Sequence, residues 1–351
     1  MEEKGEYGYI SLRIHHTSIK MRRIKNKLPG IAFSAIIALP AWLIGNHFPI
    51  IGSPVLGILF GLMLTFWKRP AAFQEGVSYT SKKLLQYSII LLGFDMNLFQ
   101  VFQTGRQTLF LMVFTLTATF LAAFYFGRLL KVDRDTNILI GVGTAICGGS
   151  AIAAASPVIR AREEDVARSI STIFFFNVIA AFLFPFLGHV LHMTDYHFGL
   201  WAGTAINDTS SVVAAGYSFS NEAGNLAVIV KLTRTLMIIP VTLVLALLTA
   251  KRDSHTGGTK YRISSVFPWF VLGFIAASVI STFLPLPAEA GVFLAKVGKY
   301  VIVMAMAAIG LNTNLASLVK NGWKPIVLGL SCWTVLTVTS LLAQLWFLPL
   351  L

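Results

Sequence analysis

Cysteine and charge are both scarce in this chain, and each scarcity excludes a class of protein. Two cysteines, Cys147 and Cys332, lie in apolar stretches of a 351-residue sequence. They make no disulfide framework and no metal site. Charged residues are 12% of the chain, about half the share found in soluble globular domains. A soluble enzyme, a disordered binder and a secreted disulfide scaffold are therefore excluded. No Walker sequence, HExxH, GxSxG or glycine-rich nucleotide fingerprint occurs. No enzymatic activity and no bound cofactor are expected. Without an ATP site, transport would have to run on a gradient, with a proton or sodium as the candidate coupling ion. What the chain has in abundance is apolar: 56% of residues and a mean hydropathy of +0.73. These come in runs of about twenty, the length that crosses a hydrocarbon core. The fold class predicted is an all-α polytopic membrane protein.

Acidic residues are the next shortage, 15 against 28 Lys and Arg, for a formal net charge of +13. In a soluble chain this excess would raise nucleic acid as a partner. Here it falls between hydrophobic runs, as in cytoplasmic loops facing an anionic leaflet. The bilayer is the partner expected and nucleic acid is not. Residues 1–28 carry seven Lys/Arg and three Glu, with no apolar core ahead of a cleavage site. They read as a basic cytoplasmic tail rather than a secretory signal, and residues 29–351 as the membrane domain.

Hydropathy marks eleven apolar segments, among them Leu84–Leu98, Thr108–Leu130 and Ala223–Thr249. Two differ from the rest. Residues 138–159 are interrupted by Cys147, Gly148, Gly149 and Ser150, and residues 198–217 by Asn207, Asp208, Thr209, Ser210 and Ser211. Such breaks free backbone groups that lipid cannot satisfy, so these segments must be buried in protein or line a cavity. If both re-enter on the side they came from, the basic loops gather inside and the loops 46–53, 191–197, 218–222 and 285–291, which lack Lys and Arg, lie outside. The positive-inside rule thus favours nine spans plus two re-entrant hairpins, with the N-terminus inside.

The chain also repeats itself. Residues 143–155 (GTAICGGSAIAAA) match residues 203–215 (GTAINDTSSVVAA) at seven of thirteen positions. Separately, GFDMNL at 93–98 resembles GLNTNL at 310–315. In the nine-span count both pairs are inverted. Inverted structural repeats with two broken helices meeting near the midplane are a signature of secondary transporters.

Polar groups inside a membrane are costly and are read as functional candidates. The leading set is Asn207, Asp208, Thr209, Ser210 and Ser211 facing Cys147, Gly148, Gly149 and Ser150. A broken helix presents free N–H groups and a positive dipole end, which suit an anion. Lys231 and Arg234, three apart on one helical face, would neutralise the substrate or pair with Asp208. Asp208 in turn would gate, or carry a coupling proton. Asn177 reads as an interhelical hydrogen bond, Asp95, Asn97, Asn312 and Asn314 as capping or turn residues. His189, His192 and His197 lack carboxylate support for zinc, and His255 carries no motif.

The stretches GTAICGGSAIAAASPVIRAREEDVA, GTAINDTSSVVAAG, KLTRTLMIIP and the two hexapeptides resemble the YeiH-type family of bacterial inner-membrane proteins. Members of that family are usually described as sulfate exporters. The resemblance runs from about residue 29 to 349 and leaves out the basic tail. It implies a multi-pass protein of the bacterial inner membrane. The family is distantly similar to the bile-acid symporter and cation–proton antiporter superfamily, which implies a static panel, a moving core and room for a homodimer. In that superfamily the broken helices cross the membrane instead of re-entering. The expected function is gradient-driven, alternating-access transport of a small anion such as sulfate, sulfite or an organosulfonate. The alternatives are a cation–proton or sodium-coupled antiporter centred on Asp208, and an anion channel.

Overall fold

The computed structural model describes residues 26–47, 52–67, 69–252, 269–284, 287–313 and 322–347. Most of the basic tail, together with His255 and Asn314, lies outside the described residues. Among the described residues there is no β-strand. The helices run α1 Asn26–His47, α2 Ser53–Met63, α3 Ala71–Tyr79, α4 Leu85–Leu92, α5 Leu98–Leu129, α6 Arg134–Ala145, α7 Gly149–Ile159, α8 Glu163–Val190, α9 Asp195–Ala205, α10 Thr209–Phe219, α11 Asn221–Thr235, α12 Ile238–Arg252, α13 Trp269–Phe283, α14 Ala288–Asn312 and α15 Trp323–Phe347. Among the described residues, six stretches are long and apolar enough to cross a membrane: α1, α5, α8, α11 running into α12, α14 and α15. Their outward faces carry large exposed apolar side chains such as Leu121, Phe124, Leu247 and Leu345, which only lipid accommodates at this density. This is a multi-pass membrane protein.

Three elements depart from the hydropathy runs. The run at Leu84–Leu98 is the second part of a longer helix, in which α3 continues through a π-helical turn, Thr80–Leu84, into α4. Gln74, Glu75, Lys82 and Lys83 keep that first part out of a hydropathy window without interrupting the helix. The run at Thr108–Leu130 begins ten residues early, at Leu98, because Asn97 caps the helix there and its Oδ1 accepts the Phe99 amide at 2.8 Å. The run at Ala223–Thr249 is interrupted between Thr235 and Ile238. Pro240 has no N–H to return to the Leu236 carbonyl, which accounts for the break.

The helices form two groups. In one, α1 to α4 pack with α13 and α14, so tightly that a methyl group on Gly61 would collide with the Ala307 carbonyl oxygen and one on Gly76 with that of Lys27. Small residues permit this backbone approach where lipid supplies no hydrophobic drive. The other group holds α5 to α12 and α15. A buried apolar seam joins the two, with Ile58, Ile89, Leu92 and Met306 against Val213, Val228 and Leu232.

Both interrupted segments fold back on themselves. The first turn of α6 and the loop after α7 meet at one carboxylate: Asp165 at the start of α8 accepts from Thr136 Oγ1 at 2.9 Å and from Arg162 Nε at 2.9 Å. The α6–α7 hairpin therefore opens at the N-terminal end of α8. The α9–α10 hairpin opens at the other end, where Phe198 and Phe219 stack at 4.0 Å and His189 near the end of α8 stacks on Phe219 at 4.6 Å. The hairpins enter from opposite faces, and their tips meet.

Candidate ligand site at the hairpin tips

Each tip joins the C-terminal end of one half-helix to the N-terminal start of the next. The C-terminal ends, of α6 and α9, leave carbonyls without intrahelical donors. Lys231 and Arg234 supply those donors. Lys231 Nζ donates to Ile146 O at 2.9 Å and to Ile206 O at 2.8 Å, one carbonyl from each tip. Arg234 does the same one turn on: Nε donates to Ala145 O at 2.6 Å, Nη2 to Thr144 O at 3.3 Å, and Nη1 to Thr204 O. Both side chains are 0% exposed. Cations also suit helix C-termini electrostatically. The expectation that these two residues face the substrate is thus revised: their donors are spent on backbone behind the tips, and neither lines the cavity. Nor does an ion pair join either of them to Asp208 among the described residues.

The N-terminal starts, of α7 and α10, are unlike each other. Asp208 caps α10, its Oδ2 accepting the Ser210 amide at 3.1 Å and the Ser210 hydroxyl. At α7 the capping position is Gly148, with φ of +67° and no side-chain cap. A methyl group at Gly148 would sit 3.2 Å from Asp208 Cβ and 3.4 Å from Asn177 Nδ2, so tip, tip and α8 converge on one point. Beside Gly149 the space is open: no atom would lie within 4 Å of a methyl group there.

That open space belongs to a cavity of about 880 Å³ between the two helix groups. Gly149, Ser150, Asn177, Asp208, Thr209 and Ser210 form its tip end, and Gln74, Lys82, Lys83, Asn312 and Thr313 lie toward the basic face. Of the residues singled out by sequence, then, five come together on the cavity wall. Cys147, Gly148, Asn207 and Ser211 lie behind it, buried. The residue missed is Asn177. It makes no interhelical hydrogen bond through Oδ1, which is buried and without a partner, and the side chain is 3% exposed. Both side-chain polar atoms of Asn207 are likewise unpartnered. A polar atom left this way forfeits roughly 1–3 kcal/mol unless a ligand or water meets it. A smaller hollow of about 270 Å³ lies at the far end of α10, lined by Trp42, Tyr217, Ser218 and Lys299 among others. His197 hydrogen-bonds Thr194 at 2.7 Å, and no group of three metal-ligating side chains occurs among the described residues.

With this geometry in view, comparison with known proteins gives a consistent family. The family described as Conserved hypothetical protein 698 matches residues 29–329. A UPF0324 membrane protein of Streptococcus pyogenes is 47% identical over 91% of this chain and 97% of its own. The chain belongs to this family. Further UPF0324 membrane proteins from Streptococcus mutans, 46% identical over 90% of this chain and 96% of their own length, and from Fusobacterium nucleatum, 42% identical over 91% and 97%, show the same near full-length match. Both hairpins and Asn177 fall within the residues that the family matches. Among solved structures, the sodium proton antiporter MjNhaP1 from Methanocaldococcus jannaschii aligns over 92% of this chain and 97% of its own, at 15% identity and a TM-score of 0.28.

Proposed function

We propose that the protein is a gradient-driven secondary transporter of a small anion, working by alternating access, with the start of α7 as its binding site. The observation that carries this reading is the uncapped N-terminus of α7 at the wall of the 880 Å³ cavity. The amides of Gly149 and Ser150 have no intrahelical acceptor by helix geometry, and the dipole end attracts negative charge. Ser150 and Thr209 add hydroxyl donors. Lys231 and Arg234 add positive potential from behind the tips while holding the two hairpins together. The two hollows on opposite sides of the tips support alternating access: α10 runs from one to the other, about 16 Å at the rise of an α-helix.

On this reading the nine membrane crossings and two hairpins place Lys82, Lys83, Arg128 and Arg160 in the cytoplasm with the N-terminus, and the 880 Å³ cavity opens inward. The resemblance to families described as sulfate exporters makes sulfate, sulfite and organosulfonates the first candidates. A second reading has its own observation in support. Asp208 lines the cavity beside Asn177, and a carboxylate at that place would suit a coupling proton or sodium ion.

Thermal unfolding of the detergent-purified protein decides between them. Sulfate, sulfite, thiosulfate, taurine and chloride would each be added to the full chain and to Gly149→Leu, whose side chain enters the open space. A ligand at a hundredfold excess over Kd stabilises by about 2.7 kcal/mol. Selective stabilisation by an anion, lost in Gly149→Leu, is the expected result. Undiminished stabilisation in that variant would remove the site, and stabilisation by sodium alone would transfer the function to Asp208.

A further inference from the structure

The cavity in front of α7 is larger than an inorganic oxyanion needs, and most of its wall is apolar. At about 880 Å³ it falls in the range of sites that enclose an organic molecule. Polar groups gather at its two ends: Gly149, Ser150, Thr209 and Ser210 at the tips, Gln74, Lys82, Lys83 and Asn312 at the mouth. Between the ends, each contributing helix turns apolar. Leu85 and Ile89 follow Lys82 along α4, Ile309 precedes Asn312 by one turn of α14, and Ala153 follows Gly149 by one turn of α7. Phe174 and Val178 of α8 add to the same wall. The helix rise from Lys82 to Ile89 is about 10 Å, and Ile89 packs in one seam with Val213, a turn into α10. An inorganic anion held at the tips would therefore leave this wall to water. An apolar body attached to the anion would release that water, which is favourable.

We infer that the ligand of this site is a small organic anion, an anionic head with an apolar body of several carbons, and that inorganic sulfate and sulfite are poor ligands. The head meets the free amides at the start of α7, and the body lies along Leu85, Phe174 and Ile309. Lys82 and Lys83 at the mouth draw anions in from solution. The inference rests on the anion reading above and narrows its substrate class. It also sets aside the substrate that the family resemblance puts first.

The test is calorimetric binding to the intact detergent-purified protein of sulfate and of methane-, propane-, hexane- and octanesulfonate. The sulfonates share one head and differ only in apolar length. Each CH2 group moved from water onto the wall should tighten binding about fourfold, so hexanesulfonate should bind roughly tenfold or more tighter than methanesulfonate. Octanesulfonate, whose tail would emerge at the mouth, should stay within about twofold of hexanesulfonate. A rise that continues undiminished to octanesulfonate would make the ligand a lipid-like amphiphile and overturn the inference. Phe174→Ser and Ile309→Ser, one from each helix group, should each weaken hexanesulfonate by about tenfold and leave methanesulfonate within about twofold of its original affinity. If both variants keep the full gain with chain length, that gain belongs to the detergent micelle and the inference falls. Equal binding of methane- and hexanesulfonate by the unmodified protein also overturns it, as does sulfate binding tightest there. In either case loss of binding in Gly149→Leu would leave the anion site itself standing. If none of the probes binds, the anion reading and this inference fail together.

Discussion

The starts of α7 and α10 occupy matching places in two hairpins that enter from opposite faces, yet they are finished in opposite ways. At α10 a carboxylate closes the helix: Asp208 takes the Ser210 amide and hydroxyl. At α7 the corresponding place is glycine with no cap, and the next residue faces open space. The C-terminal ends of α6 and α9, by contrast, are both met by Lys231 and Arg234, with three carbonyls taken from the first and two from the second. A stable tip needs its carbonyls and its amides met. Here one set of amides is left for something that the protein does not itself supply. On the proposed reading, this asymmetry puts the ligand at the start of α7, opposite the capped start of α10.

The largest expected effect comes from the shared end. Arg234→Leu would leave the Ala145, Thr144 and Thr204 carbonyls buried without donors, at a cost of roughly 3–5 kcal/mol. Lys231→Met should cost a similar amount, and both should lower the unfolding temperature in detergent whether or not ligand is present. An unfolding temperature unchanged in both would mean that the tips do not depend on these cations. Smaller, and confined to one tip, is Gly148→Ala. With φ of +67°, and with the added methyl 3.2 Å from Asp208 Cβ, it should cost on the order of 1–2 kcal/mol. Asp208→Ala comes next, about 1 kcal/mol from the lost cap. Asp208→Asn should be nearly neutral in the same unfolding assay, so a large loss in the Asn variant would show that charge rather than capping is what the α10 start requires.

Much of this was legible in the sequence, and the limits have physical causes. Helices and their apolar runs follow from composition, and the breaks at 147–150 and 207–211 stand out because nothing in lipid tolerates them. The role of Lys231 and Arg234 was only half visible. Two buried cations demand acceptors, but backbone carbonyls occur at every residue. Which ones are orphaned depends on where α6 and α9 stop, a matter of tertiary structure. Asn177 was half visible for a related reason. A lone amide on an apolar helix reads as an interhelical hydrogen bond, and only the placement of α8 against Gly148 shows its Oδ1 left without a partner. The early start of α5 was hidden by Gln103 and Arg106, which lower hydropathy without disturbing the helix that Asn97 caps.

The smallest effect on stability should come from Gly149→Ala, and for that reason it separates fold from function most cleanly. The methyl group meets nothing within 4 Å, the backbone there has no positive φ, and alanine is the better helix former by up to about 1 kcal/mol. The unfolding temperature without ligand should therefore hold or rise slightly. Its neighbour Gly148→Ala, one residue away, should fall. Ligand binding should show the reverse order of interest, because the Gly149 methyl projects into the space where the anion would approach the free amides. Weakened binding in a protein at least as stable as the original would assign the open start of α7 to function. If Gly149→Ala instead destabilises as much as Gly148→Ala, the two glycines share a turn requirement and the open space has no part in binding.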